Sequence, residues 1–274
     1  MPHKPRLTAH HRLQQDQRST AELVETALVV QTALADARLK AALPEGYQAL
    51  SVLHARGTRD VLDAAFALCA ATDPKRRSLG AMILAELGSP ERIFSEECCD
   101  ALLDLVRHDR DLHVLAVAVS ALGHLRNRRC EPDLIALKNH PDEEVRHGVA
   151  FALRGTENPA SVQALLELME DSYKMARDWA TTSIGQTVSI DGPEIRAALL
   201  RRANDSDEIT RAAALHGLAR RHDGRVRPYL IAELRTKREN DHLMQEAAKT
   251  FLGLDEARTV DSEELLAALR SGNH

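Results

Sequence analysis

The residues of this chain best suited to chemistry are an adjacent acid and aromatic side chain, Asp178 and Trp179, which Arg177 precedes. An enzyme that acts on a base flipped out of DNA places a carboxylate beside an aromatic surface, so the three could belong to such a site. They could equally anchor a protein partner, because Trp and Arg dominate the binding energy of many interfaces. A third interpretation makes Trp179, the single tryptophan, a core residue wedged between helices.

The histidines and cysteines do not show the spacing of a metal site. The four cysteines, Cys69, Cys98, Cys99 and Cys130, include no C-x-x-C pair, which argues against both a zinc site and a disulfide framework. None of the 13 histidines is followed by a glutamate. We therefore predict that the protein binds no metal and no cofactor, and that its thiols are reduced, as they are in a cytoplasm.

Other catalytic motifs are missing from the sequence. It contains no phosphate-binding G-x-x-x-x-G-K-[ST] loop and no G-x-S-x-G nucleophile motif. Glu96 and Glu97 are paired, as are Glu263 and Glu264, but nothing in their spacing brings them together across a cleft, as glycoside hydrolysis requires. The sequence predicts a protein that is not an enzyme.

A repeated frame runs through the chain and must position these residues. Its clearest copy starts at Asp142, with Arg146 four residues later and Leu153 seven residues after that. The aliphatic slot recurs every 31 to 38 residues, at Leu84, Leu122, Leu153, Ile184, Leu218 and Leu252. The arginine slot holds Arg77, Leu115, Arg146, Arg177, Arg211 and Gln245. A catalytic group would not recur in this way, so we interpret the aspartates as helix N-caps and the charged slots as a ladder of buried Asp–Arg hydrogen bonds.

Each repeat contains two helical patterns, with Pro or Gly at the joints and no alternating pattern of a strand. Two-helix units of this length stack into a right-handed α-solenoid, in which no unit buries its apolar face alone. We predict an all-α solenoid of about seven repeats over roughly 45–255, with a helical N-terminal cap and a C-terminal capping helix. The solenoid is predicted to form a single domain, 20–274, after a flexible basic tail, 1–19.

The stretches "DPKRRSLGAMILAELG", "DEEVRHGVAFALRG" and "DEITRAAALHGLAR" resemble HEAT repeats of the short PBS-lyase-like kind. The resemblance covers about 45–255 and implies the solenoid fold. The stretches "RRSLGAMIL" and "RDWATTSIGQ" are similar to bacterial HEAT-repeat proteins encoded beside Rhs-type polymorphic toxins. Some of those proteins are thought to be immunity or adaptor proteins, which implies a concave surface that covers the toxin's site.

The composition helps to choose between classes of partner. Aromatic residues make up only 3% of the chain and the formal net charge is −5, whereas nucleic-acid-binding domains are usually basic and stack bases on several aromatics. No apolar run approaches the roughly 20 residues needed to cross a bilayer. These features favour a protein partner over nucleic acid and over a membrane.

We therefore predict a non-enzymatic, cytoplasmic, monomeric scaffold whose concave surface binds a protein such as a toxin domain. The predicted partner-binding residues are Arg177, Asp178, Trp179, His147, Phe151 and His216. One alternative is a DNA-binding or DNA-repair protein related to the HEAT-like alkylpurine DNA glycosylases. Another, implied only by the name of the repeat, is a lyase-type chaperone that loads a chromophore.

Overall fold

The structure is a computed structural model that describes residues 13–32, 42–236, 241–255 and 259–271. The chain divides into two compact units, Met1–Ala136 and Leu137–His274, where the sequence predicts one domain over 20–274. No β-strand occurs in the described ranges, so the all-α prediction is confirmed.

The helices of the first unit are α1 (Thr20–Ala27), α2 (Val29–Thr32), α3 (Leu43–Arg56), α4 (Arg59–Cys69), α5 (Pro74–Glu86), α6 (Ser95–His108), α7 (Leu112–Leu125) and α8 (Glu131–Ala136). The helices of the second unit are α9 (Glu143–Ala152), α10 (Pro159–Leu168), α11 (Lys174–Thr182), α12 (Pro193–Arg202), α13 (Glu208–Arg220), α14 (Arg227–Arg235), α15 (Asp241–Phe251) and α16 (Ser262–Ser271). The last of these is the predicted C-terminal helix.

The helices of each unit pair as antiparallel repeats. In the second unit α10 packs on α11, α12 on α13, and α14 on α15, while the second helices α9, α11, α13 and α15 lie side by side. The aliphatic slot of the frame fills the space between them: Leu153 is 1% exposed, and Ile184 and Leu218 are fully buried. The recurring aliphatic residue is therefore the core residue of each repeat, as its periodicity predicts.

The frame aspartates cap the second helices. The Asp142 Oδ1 atom accepts the Glu144 and Val145 backbone N–H groups at 3.0 and 3.1 Å, and Asp73, Asp111 and Asp207 cap in the same way. Tyr173 occupies the equivalent place before α11 and makes no side-chain cap. The N-cap interpretation of these aspartates is confirmed.

The arginine slots form the predicted ladder, but with a different carboxylate. Arg146 donates from Nε and Nη2 to the two oxygens of Asp171 at 2.7 and 2.9 Å, and from Nη1 to the backbone carbonyl of His140 at 2.8 Å. Asp171 lies two residues before the N-cap position of the next second helix. The frame aspartates are not the partners, because their oxygens already accept helix N–H groups. The equivalent rungs are Arg77–Asp109, Arg177–Asp205 and Arg211–Glu233.

The structure describes only part of the predicted N-terminal tail, 1–19. Residues 1–12 of the predicted basic tail lie outside the described residues. Within 13–19 of the same tail, Gln14 Nε2 donates to the Ala55 carbonyl at 3.2 Å, and Arg56 Nη2 donates to the Asp16 carbonyl at 2.8 Å. This part of the predicted tail contacts α3.

Candidate partner-binding face

The helices α9, α11, α13 and α15, each the second helix of its repeat, share a face whose side chains take no part in the arginine ladder. Relative to each arginine slot, these side chains lie two residues before, one residue after and five residues after it, which places them on one helix face. We call this surface the second-helix face: Glu144, His147, Phe151, Met175, Asp178, Thr182, Ile209, Ala212, His216, Leu243, Glu246 and Thr250.

Apolar side chains on this face are exposed in neighbouring repeats. Ile209 is 53% exposed and Met175 is 37% exposed, and Leu243 fills the equivalent slot on α15 half-buried. A single exposed apolar residue is ordinary on a protein surface, but a row of them across adjacent helices marks an interaction site. These residues are not among the binding residues predicted from the sequence, although an apolar residue lies two places before Arg177, Arg211 and Gln245 in three consecutive repeats.

Trp179 is half-buried beside this face rather than wholly in the core. Its ring contacts the Phe151 ring of the preceding second helix edge to face, with centroids 4.9 Å apart and planes at 82°. The guanidinium carbon of Arg154 lies 3.8 Å from the centroid of the same Phe151 ring. Two of the predicted binding residues are thus brought into direct contact, in the offset geometry that aromatic pairs prefer.

His147 belongs to a polar cluster at the edge of the face. Its ring lies edge to face on Tyr173 with centroids 6.3 Å apart, and its Nδ1 atom is 3.3 Å from Glu144 Oε2. The Tyr173 hydroxyl donates to Glu144 Oε1 at 2.6 Å. This bond to a carboxylate raises the pKa of Tyr173 to about 12, so the phenol remains a donor at neutral pH.

Arg177 and Asp178 have different environments although they are adjacent. Arg177 Nε donates to Asp205 Oδ2 at 2.9 Å, so its guanidinium belongs to the ladder. Asp178 is half-buried on the second-helix face, where the Thr182 hydroxyl lies 3.5 Å from Oδ1. Burial raises the pKa of Asp178, and the nearby Asp207 carboxylate raises it further. Of the two side chains, only that of Asp178 lies on the second-helix face.

His216 lines a recess in the same face, between α11, α13 and α15. The recess has a volume of about 280 Å³, and its walls include Ile209, Ala212 and Leu243. At its rim the Nε2 atom of His216 lies 3.9 Å from Glu246 Oε1. The recess combines apolar walls with the polar side chains of Thr182, Gln186, His216 and Glu246, and such a mixture is usual in binding sites.

A π-helical turn, Ser183–Thr187, shapes the end of α11 next to the recess. The Ser183 hydroxyl donates to the Trp179 carbonyl at 2.7 Å, and such bonds between a side chain and the fourth preceding carbonyl bend helices. Gly185 lies against α13, where an added Cβ would come within 2.5 Å of the Ala213 carbonyl oxygen. The glycine lets the two helices approach, and π-turns of this kind are frequent at functional sites.

Basic residues cluster in the sequence at 75–77, 126–129, 201–202 and 220–221, and most of their side chains bond to other protein groups. Arg201 and Arg202 pair with Glu170 at 2.9 and 2.8 Å, and Arg129 lies 3.5 Å from Glu96. Further pairs or carbonyl contacts involve Arg76, Arg77, Arg128, Arg220 and Arg221. DNA binding needs such groups for phosphates, so the geometry of these clusters argues against the predicted alternative.

Within the described ranges no group of three or more His, Cys, Asp or Glu side chains converges to hold a metal ion. The first unit contains a close thiol pair that was not predicted from the sequence: the Sγ atoms of Cys99 and Cys130 lie 2.7 Å apart, and both residues are buried. The two cysteines are 31 residues apart, which is one repeat length, so the same frame that stacks the helices brings them together.

No helix in the described part of the chain is both long enough and apolar enough to span a membrane.

Residues 99–185 match the family model of HEAT repeats. Protein YibA of Escherichia coli K12 is 25% identical to this chain over 204 residues, which are 72% of each protein. The X-ray structure of E. coli YibA is similar with a TM-score of 0.68 at 21% identity, and the match covers 98% of both chains.

Two more distant structures have the same kind of fold. The complex of CpcE and CpcF of phycocyanin lyase from Nostoc sp. PCC7120 matches with a TM-score of 0.50 at 16% identity, covering 98% of this chain and 99% of that one. A computationally designed armadillo repeat protein for modular peptide recognition matches with a TM-score of 0.50 at 15% identity, over 71% of this chain and all of that one. The predicted HEAT-like α-solenoid is confirmed.

Proposed function

We propose that this protein is a non-enzymatic scaffold that holds a segment of a partner protein against the second-helix face, as a monomer in the cytoplasm. The observation that carries the proposal is that closely spaced residues of α11 and α13 have different environments. Arg177 and Arg211 are bound within the ladder, whereas Met175 and Ile209, two residues before them, are exposed. The fold leaves these apolar groups for contacts outside the chain.

The anchoring part of the face is the aromatic pair. Trp179 and Phe151 support each other in one arrangement, so little side-chain freedom is lost when a partner covers them. Half-buried aromatic residues next to exposed aliphatic ones are typical of the centre of an interface. Two proteins of similar fold support the proposal: one was designed for modular peptide recognition, and the other is the complex of CpcE and CpcF of phycocyanin lyase.

The finer proposal is that the partner is a polymorphic toxin domain and that this chain acts as its immunity or adaptor protein. The support is the resemblance of "RRSLGAMIL" and "RDWATTSIGQ" to HEAT-repeat proteins encoded beside Rhs-type toxins. Binding would neutralise the toxin by covering its site, a mechanism that needs no catalytic residue in this chain. The matching experiment is co-expression with a toxin domain encoded beside this gene, with cell survival as the readout.

The binding face is tested by site-specific photo-crosslinking in the source cells. A photoreactive phenylalanine analogue at Ile209 is expected to give a discrete adduct with one partner. The matched control is Ile93, which is 71% exposed and belongs to the first unit. Equal adducts at both positions, or none at Ile209, would contradict the proposed face.

A further inference from the structure

Asp178 is exceptional among the partly buried aspartates of the second unit. Asp171, Asp205 and Asp223 each lie within 2.9 Å of an arginine side chain. Among the described residues Asp178 has no cation within salt-bridge distance and caps no helix, and its closest side-chain partner is the Thr182 hydroxyl at 3.5 Å. Partly burying a carboxylate without a cation is costly, so an ordinary structural role does not account for it.

The surrounding charges do not remove this deficit, because burial and the Asp207 carboxylate outweigh the opposite effects of Lys174 and His147 on the pKa of Asp178. Lys174 lies one turn before Asp178, but its Nζ atom is 2.7 Å from Asp207 and so serves a different carboxylate. Burial and the charge of Asp207 both raise the pKa of Asp178, because each disfavours the carboxylate anion. A cation that arrives from outside would relieve both effects.

The recess beside Asp178 provides apolar side chains that a partner residue can contact. Thr182, one helical turn beyond Asp178, lines it, and Ile209 and Leu243 form apolar walls. Its volume of about 280 Å³ is several times the roughly 30 Å³ of a water molecule, so a side chain can enter. Glu246 adds an exposed carboxylate on α15. Arg211, which adjoins Ile209 and Leu243, is bound by Glu233 at 2.9 Å.

We propose that Asp178, Glu246 and the recess form a subsite for a partner segment that carries a lysine or arginine next to an apolar side chain. The apolar side chain enters between Ile209 and Leu243. The cation is held by Asp178, while Glu246 adds negative charge on the opposite side of the recess. Charge complementarity selects this partner, because an acidic segment would place like charges against Asp178. This subsite deepens the proposed function and rests on it.

The test uses methyl-labelled full-length protein and two synthetic peptides, one alternating Leu and Lys and one alternating Leu and Glu. The probe signal is the δ1-methyl resonance of Ile209, assigned by its disappearance in Ile209→Val. The Leu–Lys peptide is expected to shift this resonance saturably, and added salt is expected to weaken the effect. The Leu–Glu peptide is expected to leave the resonance in place.

Two variants locate the charges. Asp178→Asn is expected to weaken binding of the Leu–Lys peptide by about tenfold and to leave the melting temperature unchanged or higher, since it removes a poorly solvated charge. Glu246→Gln, on an exposed side chain, is expected to weaken binding without affecting folding. The matched control is Asp104→Asn, because the Asp104 side chain is 75% exposed and lies in the first unit.

The possible outcomes distinguish a failure of the proposed subsite from a failure of the proposed function. Equal shifts with both peptides, or unchanged binding in both Asp178→Asn and Glu246→Gln, would overturn the cationic subsite while leaving an apolar binding face in place. No shift with either peptide would also overturn the subsite. The broader function would fail as well if the crosslinker at Ile209 captured no partner, or captured no more than the crosslinker at Ile93.

Discussion

Replacing Arg146 by leucine is the sharpest test of what holds the repeats together. The change removes two hydrogen bonds to Asp171, at 2.7 and 2.9 Å, and two to backbone carbonyls, at 2.8 and 3.1 Å. The Asp171 side chain is only 7% exposed, so its carboxylate stays buried and keeps only the Tyr173 N–H bond at 2.7 Å. Removing one partner of a buried ion pair costs about 3–5 kcal/mol, and the 15% exposure of the Arg146 side chain places the expected loss at about 3 kcal/mol.

The pH dependence identifies the cause of that loss. Burial raises the pKa of Asp171, but the hydrogen bonds from Arg146 and from the Tyr173 N–H outweigh it and lower the net pKa below its usual value. A lowered folded-state pKa means that this stabilisation is present at neutral pH and is lost as the pH falls through the folded pKa. In Arg146→Leu the buried carboxylate can take up a proton instead. The stability difference between wild type and variant is therefore expected to shrink between pH 7 and pH 4.

Urea unfolding at both pH values measures this difference. Helical circular dichroism follows the whole chain, while the fluorescence of Trp179, the single tryptophan, follows the second unit next to the lost rung. The matched control is Arg107→Leu, because Arg107 pairs with Asp133 at 2.8 Å but its side chain is 52% exposed, so we expect little change. Equal losses in the two variants, or a loss for Arg146→Leu that does not depend on pH, would refute a buried ladder.

The remaining predictions concern single groups. Iodide is expected to quench the fluorescence of Trp179 partly in the folded protein, and Trp179→Ala is expected to weaken partner binding by about 2 kcal/mol or more. Complete protection from quenching would show that Trp179 is not an anchor. Burial lowers the pKa of His54, so the unfolded chain binds more protons and stability is expected to fall as the pH drops below about 6.5. His54→Gln is expected to flatten this fall, and an unchanged pH profile would assign it to other groups. Diamide oxidises two thiols to a disulfide by accepting two electrons, and we expect it to link Cys99 to Cys130 within one chain. Peptide mapping that finds both cysteines still reduced after this treatment would contradict their proximity. Removing divalent metals with a chelator is expected to leave the melting temperature unchanged, and a large decrease would reveal an unrecognised ligand set.

The fold followed from the sequence because its signals are repeated and local. Leu153, Ile184 and Leu218 recur at repeat spacing and are buried, and Asp142 caps a helix only a few residues away from itself. The ladder partner was harder to predict. Asp171 lies two residues before a cap position that Tyr173 occupies, so its pairing with Arg146 depends on the register between repeats, which the spacing along one repeat does not define.

The candidate site was predictable only in part for the same reason. Trp179 and Asp178 stood out by residue type, but the contact of Trp179 with Phe151 joins two helices 28 residues apart. Ile209 and Leu243 were not predicted as site residues from the sequence. Their meaning appears only when α13 and α15 lie side by side and the residues line one recess. A site lined by residues from several repeats can be recognised only once the packing of those repeats is known.

The neighbouring positions Arg177 and Asp178 have a consequence for how such a protein can evolve. Successive residues of a helix point about 100° apart, so the side chain that stabilises the stack and the one that faces outward are encoded by adjacent codons. A substitution at Asp178 or Thr182 alters the outward surface and leaves the Arg177–Asp205 rung intact. A lineage with this frame can therefore exchange one binding partner for another in a few single-residue steps, without first acquiring extra stability to tolerate them.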